Sequence, residues 1–139
     1  MSTTGLDVFD KTLQTTHIWL DDIMDAIGPD RAVAWRVLST VLQKLRDRLP
    51  IEVAAHLGAQ LPLLVRGVYY DRFDPTGMPA DWHTAEQFIQ AVASDLSGSR
   101  KINAKNAIHV VLGVLDSHVS EGQMDKVYQA LPKSIRALW

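Results

Sequence analysis

The chain has 139 residues and no cysteine, with 47% hydrophobic and 22% charged positions, a length suited to one domain or to two small units sharing a core. The lack of cysteine excludes a disulfide scaffold, a thiolate zinc site, an iron–sulfur cluster and a cysteine nucleophile. With 14 Lys and Arg against 16 Asp and Glu, the net charge of −2 argues against bulk attraction to nucleic acid or to an anionic membrane. No apolar run approaches the roughly 20 residues that span a bilayer. The first ten residues lack the basic and apolar regions of a secretory signal, so a soluble cytoplasmic protein is expected.

Taken in chain order, Leu6, Phe9, Leu13, Leu20, Ile23, Met24 and Ile27 recur at steps of three and four, which is one face of a helix. Thr4 is its expected N-cap, and Gly28-Pro29 ends it. Asp30 is placed to cap a second helix with Val33, Val37, Leu38, Val41, Leu42, Leu45 and Leu49 on one stripe. Pro50 opens a third helix, Ile51 to Ala59, and Pro62 a short fourth, Leu61 to Tyr70. The stretch from Asp71 to Pro79 contains two prolines and a glycine without any period, and reads as an ordered crossing or a linker. Helix resumes near His83 on Ala85, Phe88, Ile89, Val92 and Leu96, with Thr84 and Gln87 at capping-box spacing. After a turn at Ser97-Gly98-Ser99, another helix carries Ile102, Ile108, Val111, Leu112, Leu115 and Val119. Ser120 and Gln123 match the capping box again, opening a helix through Val127 and Leu131, and Pro132 starts the last turns before Trp139.

The two halves repeat each other. Residues 18–69 align with 88–139 at a constant offset of 70, giving nine identical pairs: Asp25/Asp95, Gly28/Gly98, Ala34/Ala104, Val41/Val111, Leu42/Leu112, Leu45/Leu115, Leu61/Leu131, Pro62/Pro132 and Arg66/Arg136. Roughly three or four are expected by chance from average composition. Apolar exchanges such as Ile18/Phe88, Leu38/Ile108, Leu57/Val127 and Val65/Ile135 fall on the expected core faces. The expected architecture is therefore all-α, a single domain of two tandem pseudo-repeats with three to four helices each. Repeat 1 spans about 6–70, a connecting segment 71–82, and repeat 2 about 83–139.

Several of these segments resemble a known family: the run from His56 to Tyr69 (HLGAQLPLLVRGVY), the preceding Val41 to Leu49, Val111 to Ser120, and the terminal Leu131 to Trp139 (LPKSIRALW). On them the chain resembles the prokaryotic domain of unknown function 2267, from about Phe9 to Trp139. Where that family would carry Gly-Trp after Tyr70, this chain has Asp71-Arg72-Phe73. The resemblance implies a small all-α fold from bacteria or archaea. It implies no activity and no catalytic residues.

Few residues invite chemistry. His17 and Asp21 are four apart on a helix, a spacing that lets two ligands face one metal ion, with Asp22 and Asp25 close by. His17 borders the stripe through Leu13 and Leu20, so a partly buried structural histidine is the stronger expectation. Asp81, His83 and Glu86 form a second polar cluster, where helix capping accounts for the acids. His109 and His118 share the helix before Ser120, and His118 matches Arg48, which asks only for a polar or cationic helix end. The turn Gly98-Ser99-Arg100-Lys101 could meet an anion, but a solvated turn explains it better. No nucleophile-elbow sequence or Ser–His–Asp arrangement is present. Each half has seven basic and eight acidic residues, and local basic spots at Arg46, Arg48, Arg100, Lys101 and Lys105 do not form a stripe interleaved with aromatics. The matched Asp25, Asp95, Arg66 and Arg136, with Pro62 and Pro132, suggest a structural demand. Each arginine is expected to reach an aspartate or helix-end carbonyls of its own repeat.

Trp19 and Trp35 lie beside the main stripes of their helices, so they either fill the seam between repeats or present a face to a partner. The leading expectation is a non-enzymatic interaction or scaffold protein, as a homodimer or bound to another protein. It would work through faces bearing Trp19, Trp35, Tyr69 and Tyr70, with no cofactor and no membrane or nucleic-acid partner. The alternative is a small-molecule carrier or sensor with an apolar pocket between the repeats.

Overall fold

The computed structural model describes residues 2–97 and 101–139, and every regular element among them is helical. The helices are α1 (Asp7–Ile27), α2 (Arg31–Arg48), α3 (Ile51–Ala59), α4 (Leu63–Tyr69), α5 (Ala85–Leu96), α6 (Ala104–His118), α7 (Glu121–Gln129) and α8 (Lys133–Arg136), with one 3-10 turn at Pro75–Gly77. Local chemistry sets most boundaries. The Asp30 carboxylate accepts from the N–H groups of Ala32 and Val33 at 3.0 and 3.2 Å, and Asn103 accepts from the N–H of Asn106 at 3.0 Å. Thr84 and Gln87 form a complete capping box. Pro62 and Pro132 are N-caps rather than first helical residues, with φ near −55° and −58°. Gly28 terminates α1 at φ 124°, a conformation that side chains resist, while its N–H still donates to Met24 O. Gly98 and the rest of the turn at 98–100 lie outside the described residues, and with them the anion reading of that turn.

Two expected caps differ. The N-cap of α1 is Leu6, without a side-chain bond; the N–H of Thr4 instead donates to the Asp10 carboxylate at 3.0 Å. Hydrogen bonds from the Ser2 and Thr4 side chains hold that carboxyl below the usual aspartate range. Ser120 accepts from the N–H of Gln123, but its own N–H donates to Gln60 Oε1, and Gln123 Nε2 is buried without a partner. A tie between α3 and α7 has thus replaced the second half of that box.

Packing makes one body. α2 and α6 pack on each other at the centre; α1 lies on α2, α4 and α6, and α5 on α2, α6 and α8, so each half's first helix covers the other half's second. α3 and α7 pair alongside. The residues facing inward on the central pair, among them Leu38, Val41, Leu42 and Leu45 and then Ile108, Val111, Leu112 and Leu115, are fully buried. Burial of each is worth about 1.5–3 kcal/mol, which neither half could gain alone.

The segment from Asp71 to Trp82 is an ordered crossing held by two arginines of α2. Arg46 donates from Nη1 to Tyr69 O and Asp71 O at 2.7 and 2.8 Å, and Arg48 donates from Nε to Trp82 O at 2.7 Å. The N–H of Ala80 donates to Asp47 O. Arg46 and Arg48 are only 3% and 8% exposed, so neither is the basic surface spot expected from the sequence.

The offset of 70 fits the helices after the first turn: α3 and α7 start and end 70 apart, as do the ends of α2 and α6 and the starts of α4 and α8. It does not fit α1 against α5. Ile18 is 47% exposed, whereas its aligned Phe88 is 1% exposed. The inward faces coincide instead at an offset one residue shorter, pairing Trp19, Leu20 and Ile23 with Phe88, Ile89 and Val92. A single residue rotates a helix by about 100°, so Asp25 and Asp95 do not occupy equivalent places.

Candidate functional site

Six of the nine exposed large apolar side chains among the described residues lie at the start of α1 or of α4, and Ile18, Ile51 and Tyr128 are exposed elsewhere. Leu6, Phe9 and Leu13, expected in the core, are 52%, 48% and 37% exposed, and Leu63 and Leu64 are 49% and 42% exposed. The first two turns of α1 run beyond the start of α5 when the helices are aligned, and α4 packs beside α1. Thr12 fixes that approach, its hydroxyl accepting from the N–H of Leu64 at 3.0 Å. On one side of this tie lies an apolar groove of about 320 Å³, walled by Phe9, Leu13, Leu63 and Leu64, with Gly67 at its edge. A Cβ at Gly67 would meet nothing within 4 Å.

On the other side of the tie is a cleft of about 420 Å³ between α1, the turn from α3 to α4, and the end of α6. Lys11 of α1, Arg66 of α4 and His118 of α6 reach it beside Trp19. Trp19 and His118 stack with ring centroids 5.2 Å apart, and His118 Nε2 lies 2.7 Å from an Asp22 carboxylate oxygen.

Most residues marked by the sequence have structural surroundings. Arg66 donates from Nη2 to Ala59 O and Leu61 O at 3.1 and 2.9 Å. Arg136 donates from Nη2 to Gln129 O and from Nε to Leu131 O at 3.1 and 2.8 Å, the same two carbonyls 70 residues on. Neither arginine holds an aspartate. Asp95 instead pairs with Lys44 at 2.9 Å and gives its carbonyl to Arg36, while Asp25 is exposed. Trp19 is 2% exposed and Tyr69 fully buried, so neither presents a face. Tyr69 donates its hydroxyl to Ala54 O at 2.7 Å, and burial pushes its phenol far above the ordinary tyrosine range. Tyr70 is half-buried edge-on to Tyr69 and Phe73, and Trp35 packs partly buried against the core.

His17 is exposed, as is Asp21. The partly buried histidine expected there fails because Thr16, not His17, points inward. Among the described residues no group of three or more His, Asp or Glu is placed to hold a metal ion. Asp22 is turned to His118, a contact between residues 96 apart that no local spacing could show. His83 meets Asp81 at 2.6 Å on the open surface, and His109 Nδ1 lies 3.2 Å from Leu138 O.

Fold and site together define a compact all-helical domain with a groove and a cleft flanking one helix contact. Among the described residues no helix is long and apolar enough to cross a membrane. The sequence model of the family described as Uncharacterized conserved protein (DUF2267) matches residues 16–138, and the chain belongs to that family. Comparison with curated proteins finds no match. The matched span begins after the turns of α1 that carry Phe9 and Leu13.

Proposed function

We propose that this is a cytoplasmic, self-associating helical interaction module built from a duplicated unit, and that its working surface is the apolar groove between α1 and α4. The observation that carries the reading is the row Leu6, Phe9 and Leu13 beside Leu63 and Leu64, all between 37% and 52% exposed. An amphipathic face left uncovered marks a contact rather than a core. The occupant is a second copy of the chain. Ridge and groove sit side by side on one surface, so a two-fold axis sets the Phe9–Leu13 ridge of each copy into the groove of the other. These five side chains expose roughly 450 Å², and with a polar rim the pair would bury about 1,000 Å² in total, the lower bound of a specific interface. A reversible dimer is the expected consequence. The duplication is supported by the twin arginine contacts and by the equal lengths of α3 and α7; the added turns of α1 have no counterpart in α5.

Sedimentation velocity over a concentration series tests this. The wild-type chain should pass from monomer to dimer at about 10–100 µM. Gly67→Glu fills the groove edge at a site where a Cβ meets nothing, so it should fold normally and weaken the dimer at least about tenfold. Phe9→Ser should do the same. A wild-type chain monomeric to about 500 µM, or a dimer indifferent to Gly67→Glu, overturns the proposal. Monomer that binds an amphipathic helix of another protein in the groove would transfer the surface to that partner.

A further inference from the structure

From the cleft on the other side of the Thr12–Leu64 tie, we infer a binding site for a small organic anion: one carboxylate or phosphate on an apolar body. Lys11, Arg66 and His118 bring three potentially cationic groups from three separate elements to one concavity of about 420 Å³, and among the described residues no lining side chain is acidic. Asp22 approaches His118 from outside that lining. Trp19, stacked on His118, lines the cleft with Leu61 and Leu63, and Thr12, Thr15 and Gln60 add a polar part of the wall. A cationic rim over an aromatic and aliphatic floor selects a molecule with an anionic head and an apolar body. The volume admits roughly 10–20 non-hydrogen atoms, too few for a two-chain lipid.

Two comparisons with the other half indicate that packing does not require the opening. Seventy residues before His118 stands Arg48, whose longer side chain is 8% exposed and closes on Trp82 O. His118, with its side chain 26% exposed, meets Asp22 instead and lines the cleft. Arg136 spends both Nε and Nη2 on its two carbonyls, whereas Arg66 serves the same pair with Nη2 alone. Arg66 Nε is left buried without a partner, as are Thr16 Oγ1 and Gln123 Nε2, and of these three residues only Arg66 lines the cleft.

The test is a titration of the isotope-labelled chain, followed through amide and indole resonances, with 1-naphthoate, the neutral 1-naphthalenemethanol and inorganic phosphate. Naphthoate should shift Lys11, Thr15, Gln60, His118 and the Trp19 indole, saturate, and bind about tenfold more tightly than either of the others. Lys11→Gln, at an exposed position, should remove most of the preference over the alcohol. The inference is overturned if naphthoate and alcohol bind alike, or if phosphate alone binds as tightly as naphthoate. Shifts confined to Phe9, Leu13 and Leu64, or no saturable shift at millimolar ligand, overturn it as well.

Discussion

Arg46 is the residue whose loss should be felt most. Its guanidinium is 3% exposed, donates to two carbonyls, Tyr69 O and Asp71 O, at 2.7 and 2.8 Å, and pairs with Asp47 at 2.8 Å. The Phe73 ring lies 5.5 Å from its centre. It thereby ties the end of α4 and the start of the crossing to α2. Arg46→Met keeps length and apolar contact but leaves both carbonyls without their donor, at about 1–3 kcal/mol each. Relief of guanidinium burial offsets part of this, and Asp47, with a side chain 28% exposed, can turn to water. The expected net loss is about 3 kcal/mol, or roughly 10 °C in melting temperature. Arg46→Lys should recover less than half, because an ammonium cannot span two carbonyls and a carboxylate as the planar fork does. Urea unfolding followed by helical circular dichroism measures both. A loss below about 1 kcal/mol, or a lysine variant as stable as wild type, would refute the assignment of Arg46 as the pin of the crossing.

Two glycines should answer alanine with opposite signs in thermal unfolding. Gly113 is exposed on α6 with nothing within 4 Å of a Cβ, so Gly113→Ala should stabilise by about 0.5–1 kcal/mol. A Cβ at Gly58 would lie 2.5 Å from the Tyr70 hydroxyl and 2.8 Å from its ring, and that ring is edged by Tyr69 and Phe73. Gly58→Ala should therefore destabilise by about 1–3 kcal/mol. Burial favours the neutral phenol of Tyr69 in the folded state and raises its pKa. The associated stability is present below the unfolded value, about 10, and is lost as pH rises above it. Tyr69→Phe should cost about 1 kcal/mol near neutral pH and flatten the alkaline loss; unfolding curves with the same alkaline slope in both proteins would contradict this.

Local signals made the helices legible, because Asp30, Thr84 with Gln87, and Pro62 and Pro132 act within a turn of themselves. The central stripes on α2 and α6 were equally readable from period alone. What escaped was long-range or depended on direction. Arg46 and Arg48 looked like surface charge, since nothing in their immediate neighbours says that two carbonyls of the crossing wait for them; their place beside the buried Leu45 and Leu49 was the one available hint. Phe9 and Leu13 announced a face that needs covering, but period cannot say whether the cover is the same chain or another molecule. Counting identities at one offset also hid the one-residue shift between α1 and α5, so Asp25 was paired with Asp95 although their surroundings differ. Aromatic type does not report depth, so sequence alone does not distinguish the buried Trp19 and Tyr69 from a presented face. The cleft itself had no sequence signal, as Lys11, Arg66 and His118 are separated by more than fifty residues each and no spacing links them.

On the duplication reading, agreement and disagreement between the halves have different causes. Pro62 with Pro132, and Arg66 with Arg136, meet the same need in each unit, which is to turn the chain at the end of α3 or α7 and to satisfy the carbonyls exposed there. Any copy that lost them would fold less well, so they persist and carry no information about function. The unequal positions answer to no such need. The added turns of α1 cost conformational entropy and leave Phe9 and Leu13 in water. His118 keeps its side chain 26% exposed where Arg48 is buried, and Arg66 leaves a buried N–H idle where Arg136 does not. All three departures lie within the same corner, around the contact of Thr12 with Leu64. On the proposed reading, contacts made outside the monomer account for their sharing one place.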